Sequence, residues 1–406
     1  MFNEIALIHK RDCFTRETLE KRLHELGFNN LARMELFLWD LEIFLHVQDI
    51  LKDKVVLKGG AATQFYLPIE YQRTSIDIDM ICAASMDEVE KTLGLIEEKF
   101  SGEGPYFKFR FHKPKTPKTD LPLLTYYLDV PSVCGSNELF GGRSGTQEIK
   151  IEFFMLKESL SLNNISSPQI FALDTDKTYQ VMPLTALIGD KLTTLAVNTV
   201  GIPPERDDEY IKQVYDVDSL FVFNWQEADF DEIKRHFIYR SKLEAEQRNI
   251  PFKMDVIKAD IMNQMDILSN IDMENNDKLK KLINDFQSLY LRKSVARSSG
   301  EWAISGSRLN FLLQSLDETD GRNKFEIIET IENRLKFDKL YGEEKGNKIR
   351  RFSEDFAQEF EAYSRWPAKI LKRKHLSRIL WAVISPTNLK EVSMWIDDFF
   401  KEKIKN

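Results

Sequence analysis

The sequence predicts an α+β fold: a mixed β-sheet with flanking helices, followed by a helical C-terminal domain. Three observations predict it. Apolar residues alternate at period two in several short runs between residues 54 and 156. Helical periodicity governs the segments between and before those runs. Beyond Pro183 it governs almost everything. The pattern divides the chain into N-terminal helices packing on the core (residues 1–50), an α+β domain with a helical extension (51–225) and a helical C-terminal domain (226–406).

The elements follow in order. Residues 15–27 read as an amphipathic helix, with Thr15 as N-cap and Gly27 as stop. Residues 31–50 form a second helix whose density of apolar residues (Leu36, Phe37, Trp39, Leu41, Phe44, Leu45, Val47) predicts burial on more than one side. Lys54–Lys58 is a short β-branched strand ended by Gly59-Gly60. Residues 61–67 start a helix that Pro68 stops. Ile76–Cys82 alternates, with Ile78 and Met80 on one face and Asp77 and Asp79 on the other. Met86–Phe100 is a helix, and Tyr106–His112, Leu121–Val130 and Glu148–Leu156 are strands. The loop holding Gly135, Gly141, Gly142 and Gly145 reads as mobile. Helices are expected at 184–198 and 205–223, amphipathic stretches over 228–299, a loop at 299–307 and helical pattern from 308 to 403.

Composition narrows the function. Hydrophobic residues make up 42% of 406, enough for a sizeable core, and 65 acidic against 57 basic residues give a formal net charge of −8. A coat of positive charge for nucleic acid is therefore excluded, and any such contact must use a local patch. Cys13, Cys82 and Cys134 give neither a disulfide framework nor zinc spacing, which points to a reducing compartment. Glu4, Lys10, Arg11 and Asp12 interrupt the apolar N-terminus, and no run of about 18 apolar residues marks a membrane span. The expectation is a cytoplasmic protein with no membrane partner.

The segment that carries chemistry is Lys58-Gly59-Gly60 followed by Arg73-x-Ser75-x-Asp77-Ile78-Asp79. A Gly-Gly turn between strand and helix lets a ligand approach the backbone closely, and N–H groups there favour phosphate. An Asp-x-Asp on a strand sends both carboxylates to one face, about 6–7 Å apart along it. Hard oxygens at that spacing can share one Mg²⁺ or bridge two. Two ionised Asp on one half-buried face repel unless something positive sits there; a metal and Arg73 are the two candidates. Glu152 in Ile149–Phe153 opposes the apolar positions and is placed as a third carboxylate, with Asp129 as runner-up.

In this order and spacing the residues resemble the nucleotidyltransferase superfamily, and more narrowly the AbiEii/AbiGii-type abortive-infection toxin family. That family tends to show Lys-Gly-Gly-Thr, then Arg-x-Ser-x-Asp-Ile-Asp, then a strand ending in an acidic residue, then helices with a Lys-Leu and a Tyr-Asp-Leu-like element. This chain offers Lys58-Gly59-Gly60-Ala61, Arg73 to Asp79, Ile149 to Glu152, Lys191-Leu192 and Tyr215-Asp216-Val217. The resemblance covers about residues 54–220 and implies a nucleotidyltransferase-like sheet. It departs at Ala61, where a hydroxyl residue is usual; Thr63 stands nearby.

The resemblance implies roles. Asp77 and Asp79 hold Mg²⁺ (or Mn²⁺), Glu152 helps deprotonate the acceptor, and Lys58, Gly59 and Gly60, with Arg73 and Ser75, bind nucleotide. Lys191 neutralises phosphate charge and Asp216 is a second-site acid; read alone, the first is an exposed helix lysine and the second a helix anchor. The implied reaction moves a nucleotide from an NTP to an acceptor hydroxyl on RNA, such as a tRNA 3′ end, or on a protein. An antitoxin encoded nearby is the implied partner, in a toxin–antitoxin or phage-defence pair. Three readings compete: a degenerate nucleotide-binding module, a small-molecule nucleotidyltransferase and a metal-dependent nuclease. The Lys369–Arg378 basic cluster, flanked by Trp366 and Trp381, reads as an RNA grip or, more simply, as the solvated face of an amphipathic helix.

Overall fold

Thr15 and Gly27 bound the first helix, α1 (Arg16–Leu26): the Thr15 side chain accepts from the Thr18 N–H, and Gly27 sits at φ +73°. In this computed structural model the described residues are 6–101, 105–113, 123–134, 145–156, 161–166, 169–318, 320–336 and 345–404. Helix α2 (Leu31–Leu51), capped by Asn30, is the central helix of the first unit and is buried at nearly every position to Val47. That includes three acids, Glu35, Asp40 and Glu42, exposed by only 2%, 1% and 0%.

The sheet follows. Its strands are β1 (Val55–Leu57), β2 (Asp77–Cys82), β3 (Phe109–Phe111), β4 (Leu123–Pro131), β5 (Thr146–Met155), β6 (Asn163–Ile165) and β9 (Tyr179–Val181). They lie in the order β3-β4-β5-β2-β1-β9-β6, while β7 (Gln169–Ile170) and β8 (Leu173–Asp174) form a separate two-stranded ladder. β2 runs parallel to β5 and β1 parallel to β9, and the other neighbours are antiparallel, so the sheet is mixed as expected. Helix α3 (Gly59–Gln64) joins β1 to β2 and begins at the glycines themselves, two residues earlier than predicted. Helix α4 (Met86–Lys99) is fixed by a capping box between Ser85 and Glu88.

Two compact units result. The first comprises residues 1–191, 243–251 and 283–296; the second comprises 192–242, 252–282 and 297–406. The sequence division at 225/226 falls inside the second unit. Helices α5 (Leu184–Thr194), α6 (Asp207–Asn224), α7 (Phe230–Gln247), α8 (Met254–Ser269) and α9 (Asp277–Tyr290) follow the sheet. The remaining six are α10 (Ser299–Ser315), α11 (Gly321–Leu335), α12 (Lys345–Glu359), α13 (Ala368–Leu371), α14 (Leu376–Val383) and α15 (Leu389–Ile404). Among the described residues no helix is long and apolar enough to cross a membrane.

Three expectations need correction. The predicted loop at 299–307 is the first half of α10, nucleated by a capping box in which Ser298 and Glu301 satisfy each other's backbone N–H. Strand β3 is shorter than Tyr106–His112: Phe107 turns to φ +62° and stacks on Phe100, ring centroids 4.1 Å apart, while its N–H still donates to the Asp129 carbonyl of β4. Strand β9 escaped the period-two reading because three residues are too few to show a period. Of the glycine-rich loop, residues 135–144 lie outside the described residues.

Candidate active site at the ends of β1, β2 and β5

The site begins where the sheet hands the chain to α3. The Lys58 N–H donates to the Asp79 carbonyl at 2.8 Å, tying the end of β1 to the middle of β2. Gly59 then adopts φ +69°, where a side chain is strained, and a Cβ there would lie 2.3 Å from Asp79 Oδ2. A Cβ on Gly60 would lie 2.7 Å from Arg73 Nη2 and 3.0 Å from Ser75 Oγ. Gly59 is thus required by its φ and by the Asp79 side chain pressed on it, and Gly60 stands close against the Arg73 guanidinium.

Register then brings the third carboxylate. In the parallel β2–β5 pair Asp77 stands opposite Lys150 and Asp79 opposite Glu152. Neighbouring strands lie about 4.8 Å apart, so Asp79 and Glu152 share one face at close range. Glu152 is drawn toward Lys150 at 2.9 Å and accepts from Thr125 Oγ1 at 3.2 Å. Lys58 Nζ lies 3.3 Å from Asp190 Oδ2 of α5. Burial, then the charges of Glu152 and Asp77, push the Asp79 carboxyl up to about 6, against the opposing pull of Lys58 and Lys150. Among the described residues no three Asp, Glu, His or Cys side chains are gathered closely enough to hold a metal ion as they stand.

Arg73 is buried, 3% exposed. Its N–H donates to Gln64 Oε1 at 2.8 Å and its Nη1 to the Thr74 carbonyl at 2.8 Å. The guanidinium lies 6.0 Å from the Tyr290 ring, and Arg33 lies 4.1 Å from the same ring. The Tyr290 carbonyl accepts from the Thr74 N–H at 3.1 Å, and Arg292 donates to the Ile69 carbonyl. The 290–292 segment therefore straps the loop that carries Arg73 and Ser75.

Eight residues singled out from sequence thus converge: Lys58, Gly59, Gly60, Arg73, Ser75, Asp77, Asp79 and Glu152. Lys191 lies in the same unit on α5, beside Asp190, but at 2% exposure it is no surface lysine. Asp216 belongs to the second unit, on α6, at 0% exposure. The runner-up carboxylate Asp129 is bound to Arg110 at 2.7 Å. Ala61 is buried, and the Thr63 hydroxyl donates to the Gly59 carbonyl at 3.0 Å, so Thr63 does not stand in for the usual hydroxyl. Sequence reasoning missed Lys150, Asp190 and Tyr290. The strand alternation around Glu152 contained the first; only distant contacts reveal the others.

Two residues of the basic cluster are engaged within the second unit, while Lys369, Lys372 and Arg373 are exposed. Lys374 pairs with Asp272 at 3.0 Å, and Arg378, 3% exposed, holds Asp272 and the Ser269 carbonyl. Trp366 donates to Asn270 Oδ1 at 2.6 Å and Trp381 to Glu332 at 2.8 Å. Trp381 is buried, 3% exposed, and is no stacking platform, which favours the amphipathic-helix reading.

Carboxylates set against a glycine turn make up the candidate site. The chain matches the family described as "Nucleotidyl transferase AbiEii toxin, Type IV TA system" over residues 43–292, more than half its length, and it belongs to that family. It is a nucleotidyltransferase of the AbiEii toxin class. Among solved structures it is similar to MenT4, a nucleotidyltransferase toxin from Mycobacterium tuberculosis H37Rv, at 13% identity and TM-score 0.43, covering 76% of this chain and 92% of that one. It is also similar to a nucleotidyltransferase described as putative from H. pylori, at 15% identity and TM-score 0.33, covering 69% and 93%. An antigenic nucleotidyltransferase-like protein from Paracoccidioides brasiliensis matches at 10% identity and TM-score 0.31, covering 55% and 95%. No curated protein matches the sequence.

Proposed function

We propose that the chain transfers a nucleotide from an NTP to an acceptor hydroxyl on RNA, such as a tRNA 3′ end, or on a protein, and that Asp77, Asp79 and Glu152 carry the reaction. The single observation behind this reading is the contact between Gly59 and Asp79. A carboxylate packed against a turn with no side chain brings a cation-binding group and a phosphate-sized approach to the backbone into one place. Family membership supports the reaction class.

The donor set fits a hard divalent cation such as Mg²⁺ or Mn²⁺. The ligands on offer are carboxylate oxygens, and Asp79 is held against two like charges in a buried setting that a cation would relieve. Asp77 and Asp79 would hold the ion, which when bound supplies charge neutralisation for the triphosphate. The chain's own residues do the rest. Gly59 and Gly60 admit the phosphates, while Lys58, Arg73 and Lys191 supply positive charge around them and Ser75 a hydroxyl. Glu152 accepts the acceptor's proton as the acceptor oxygen bonds the α-phosphorus. The bond from that phosphorus to the bridging oxygen breaks, and pyrophosphate leaves. Asp216 is proposed as a second acid, and residues 226–406 as the part that sets acceptor choice. The toxin class supports an antitoxin partner and action in the cytoplasm.

The test is incubation of purified protein with Mg²⁺, each α-labelled NTP and total cellular RNA, beside an Asp77→Ala/Asp79→Ala control. Label entering RNA, and lost in the control, establishes the transfer and names the nucleotide. Absence of label on RNA and on added protein or small-molecule acceptors moves the chain to a nucleotide-binding role.

A further inference from the structure

Asp40 is the buried charge that the reading above leaves without a task. It stands midway along α2, 1% exposed, and neither of its carboxylate oxygens has a hydrogen-bond partner. Buried polar groups are normally satisfied, so an orphaned carboxylate calls for an explanation. The other two buried acids of the same helix follow the rule. Glu35 accepts from Ser132 Oγ, the Val133 N–H and Gln147 Nε2. Glu42 accepts from the Ile8 and His9 N–H groups and from both histidine rings, His9 and His46. A carboxylate kept in this core for packing is supplied with donors; Asp40 is supplied with none.

Its surroundings say what it is near. Helix α2 packs against β2 and β5, the strands that carry Asp77, Asp79 and Glu152. Burial comes first in pushing the Asp40 carboxyl well above its ordinary range, and the charges that add to it are Asp77 and then Asp79, both negative. Asp40 thus faces the charges of Asp77 and Asp79 from a helix layer outside the motif, three residues before the family match begins at 43.

We infer that Asp40 belongs to the cation site, as a buried outer carboxylate whose charge is balanced only when a divalent cation sits at Asp77 and Asp79. Its function is to deepen the negative potential there, raising affinity for a doubly charged ion. This inference rests on the metal-dependent reading of the site.

The experiment uses the full chain and Mn²⁺ as the probe, with free Mn²⁺ followed by paramagnetic resonance and melting followed with and without the ion. Wild type is compared with Asp40→Asn, Asp40→Leu and Asp77→Asn. Without metal, both Asp40 variants should melt at least as high as wild type. They should bind Mn²⁺ about tenfold more weakly, the lower end of what outer partners of a metal site contribute. The rise in melting temperature on adding Mn²⁺ should shrink with it. Unchanged Mn²⁺ affinity in a folded Asp40→Asn, with binding lost in Asp77→Asn, overturns this inference alone. Failure of both Asp40 variants to fold overturns it too, since Asp40 is then a core partner. A wild type that binds no Mn²⁺ overturns the metal-dependent reading together with this one.

Discussion

Asp40 in the first unit and Asp218 in the second are both aspartates at 1% exposure, and they are treated in opposite ways. Asp218 is saturated: Arg297 Nη1 reaches it at 2.7 Å, Arg308 Nη1 at 2.8 Å, and Ser305 Oγ donates to it at 3.0 Å. Burial opposes its charge, but Arg308 and Arg297 override that and hold the carboxyl below its ordinary range. Asp40 has no donor and its electrostatic neighbours are two more aspartates. Asp79, at the site itself, is likewise pushed up rather than down. One unit spends its arginines on closing a charge inside a helical core. The other leaves like charges crowded at the end of a sheet. Asp218 is completed by the fold, whereas Asp40 and Asp79 are left facing like charges, the contrast that separates a structural carboxylate from a candidate site.

The contrast can be broken or sharpened by measurement. The largest effect is expected from Asp77→Ala/Asp79→Ala. Nucleotide transfer should fall by at least about a thousandfold, because several kcal/mol of charge stabilisation go with the carboxylates. The melting temperature should hold or rise. A double variant that melts far below wild type would make these residues structural like Asp218 and dissolve the contrast. Next, Asp218→Ala removes the buried carboxylate shared by two half-buried arginines and should cost about 3 kcal/mol of stability, read from chemical denaturation. Its transfer rate per folded molecule should stay near wild type; selective loss of rate with intact stability would contradict the assignment.

Gly59→Ala is smaller on stability but sharp on activity. The positive φ costs about 1–2 kcal/mol, and the added methyl displaces Asp79, so transfer should drop by about two orders of magnitude. Wild-type activity in that variant would show that the glycine–carboxylate contact is dispensable. Tyr290→Ala should raise the KM for NTP by several-fold through loss of about 1 kcal/mol of ring–guanidinium contact at Arg33 and Arg73. Tyr290→Phe, which keeps the ring, should restore it, and an equal loss in both variants would implicate the hydroxyl instead. The smallest effect is a pH dependence. Burial raises the Glu42 carboxyl, but hydrogen bonds from His46, His9 and the Ile8 N–H outweigh burial and bring it down to about 2. Tyr179 and Lys99 are the other ionisable groups bonded to those histidines, through His9 Nε2 and His46 Nδ1. A depressed acid stabilises the fold above its unfolded pKa of about 4.5. That stability should therefore disappear as pH falls from about 4.5 toward 2, and Glu42→Gln should flatten melting curves across this window alone.

Much of the site was legible because its signals are local. Period-two alternation put Asp77 and Asp79 on one face, the same alternation placed Glu152, and Gly59-Gly60 marked the strand-to-helix turn. The second helix was recognisable from its apolar density. What escaped depends on long-range register. Nothing near Asp190 in sequence announces Lys58, and nothing near Tyr290 announces Thr74, more than two hundred residues earlier. Asp40 left a trace, an acid inside Leu38-Trp39-Asp40-Leu41, but a buried Asp with donors and one without look alike in a sequence. The α10 start was readable in principle, since Ser298 and Glu301 have capping-box spacing; the glycines at 300 and 306 obscured it.

The strap at Tyr290 also sets an order of events during synthesis. The loop bearing Arg73 and Ser75 is made early, yet the Thr74 N–H finds its acceptor, and Arg73 its aromatic neighbour, only after the ribosome has added residue 290. Residues 283–296 complete the unit that begins at the N-terminus. A nascent chain stopped at residue 191 would hold every motif carboxylate of β2 and β5 but not the brace on the Arg73–Ser75 loop, so the candidate site is among the last parts of this unit to be completed.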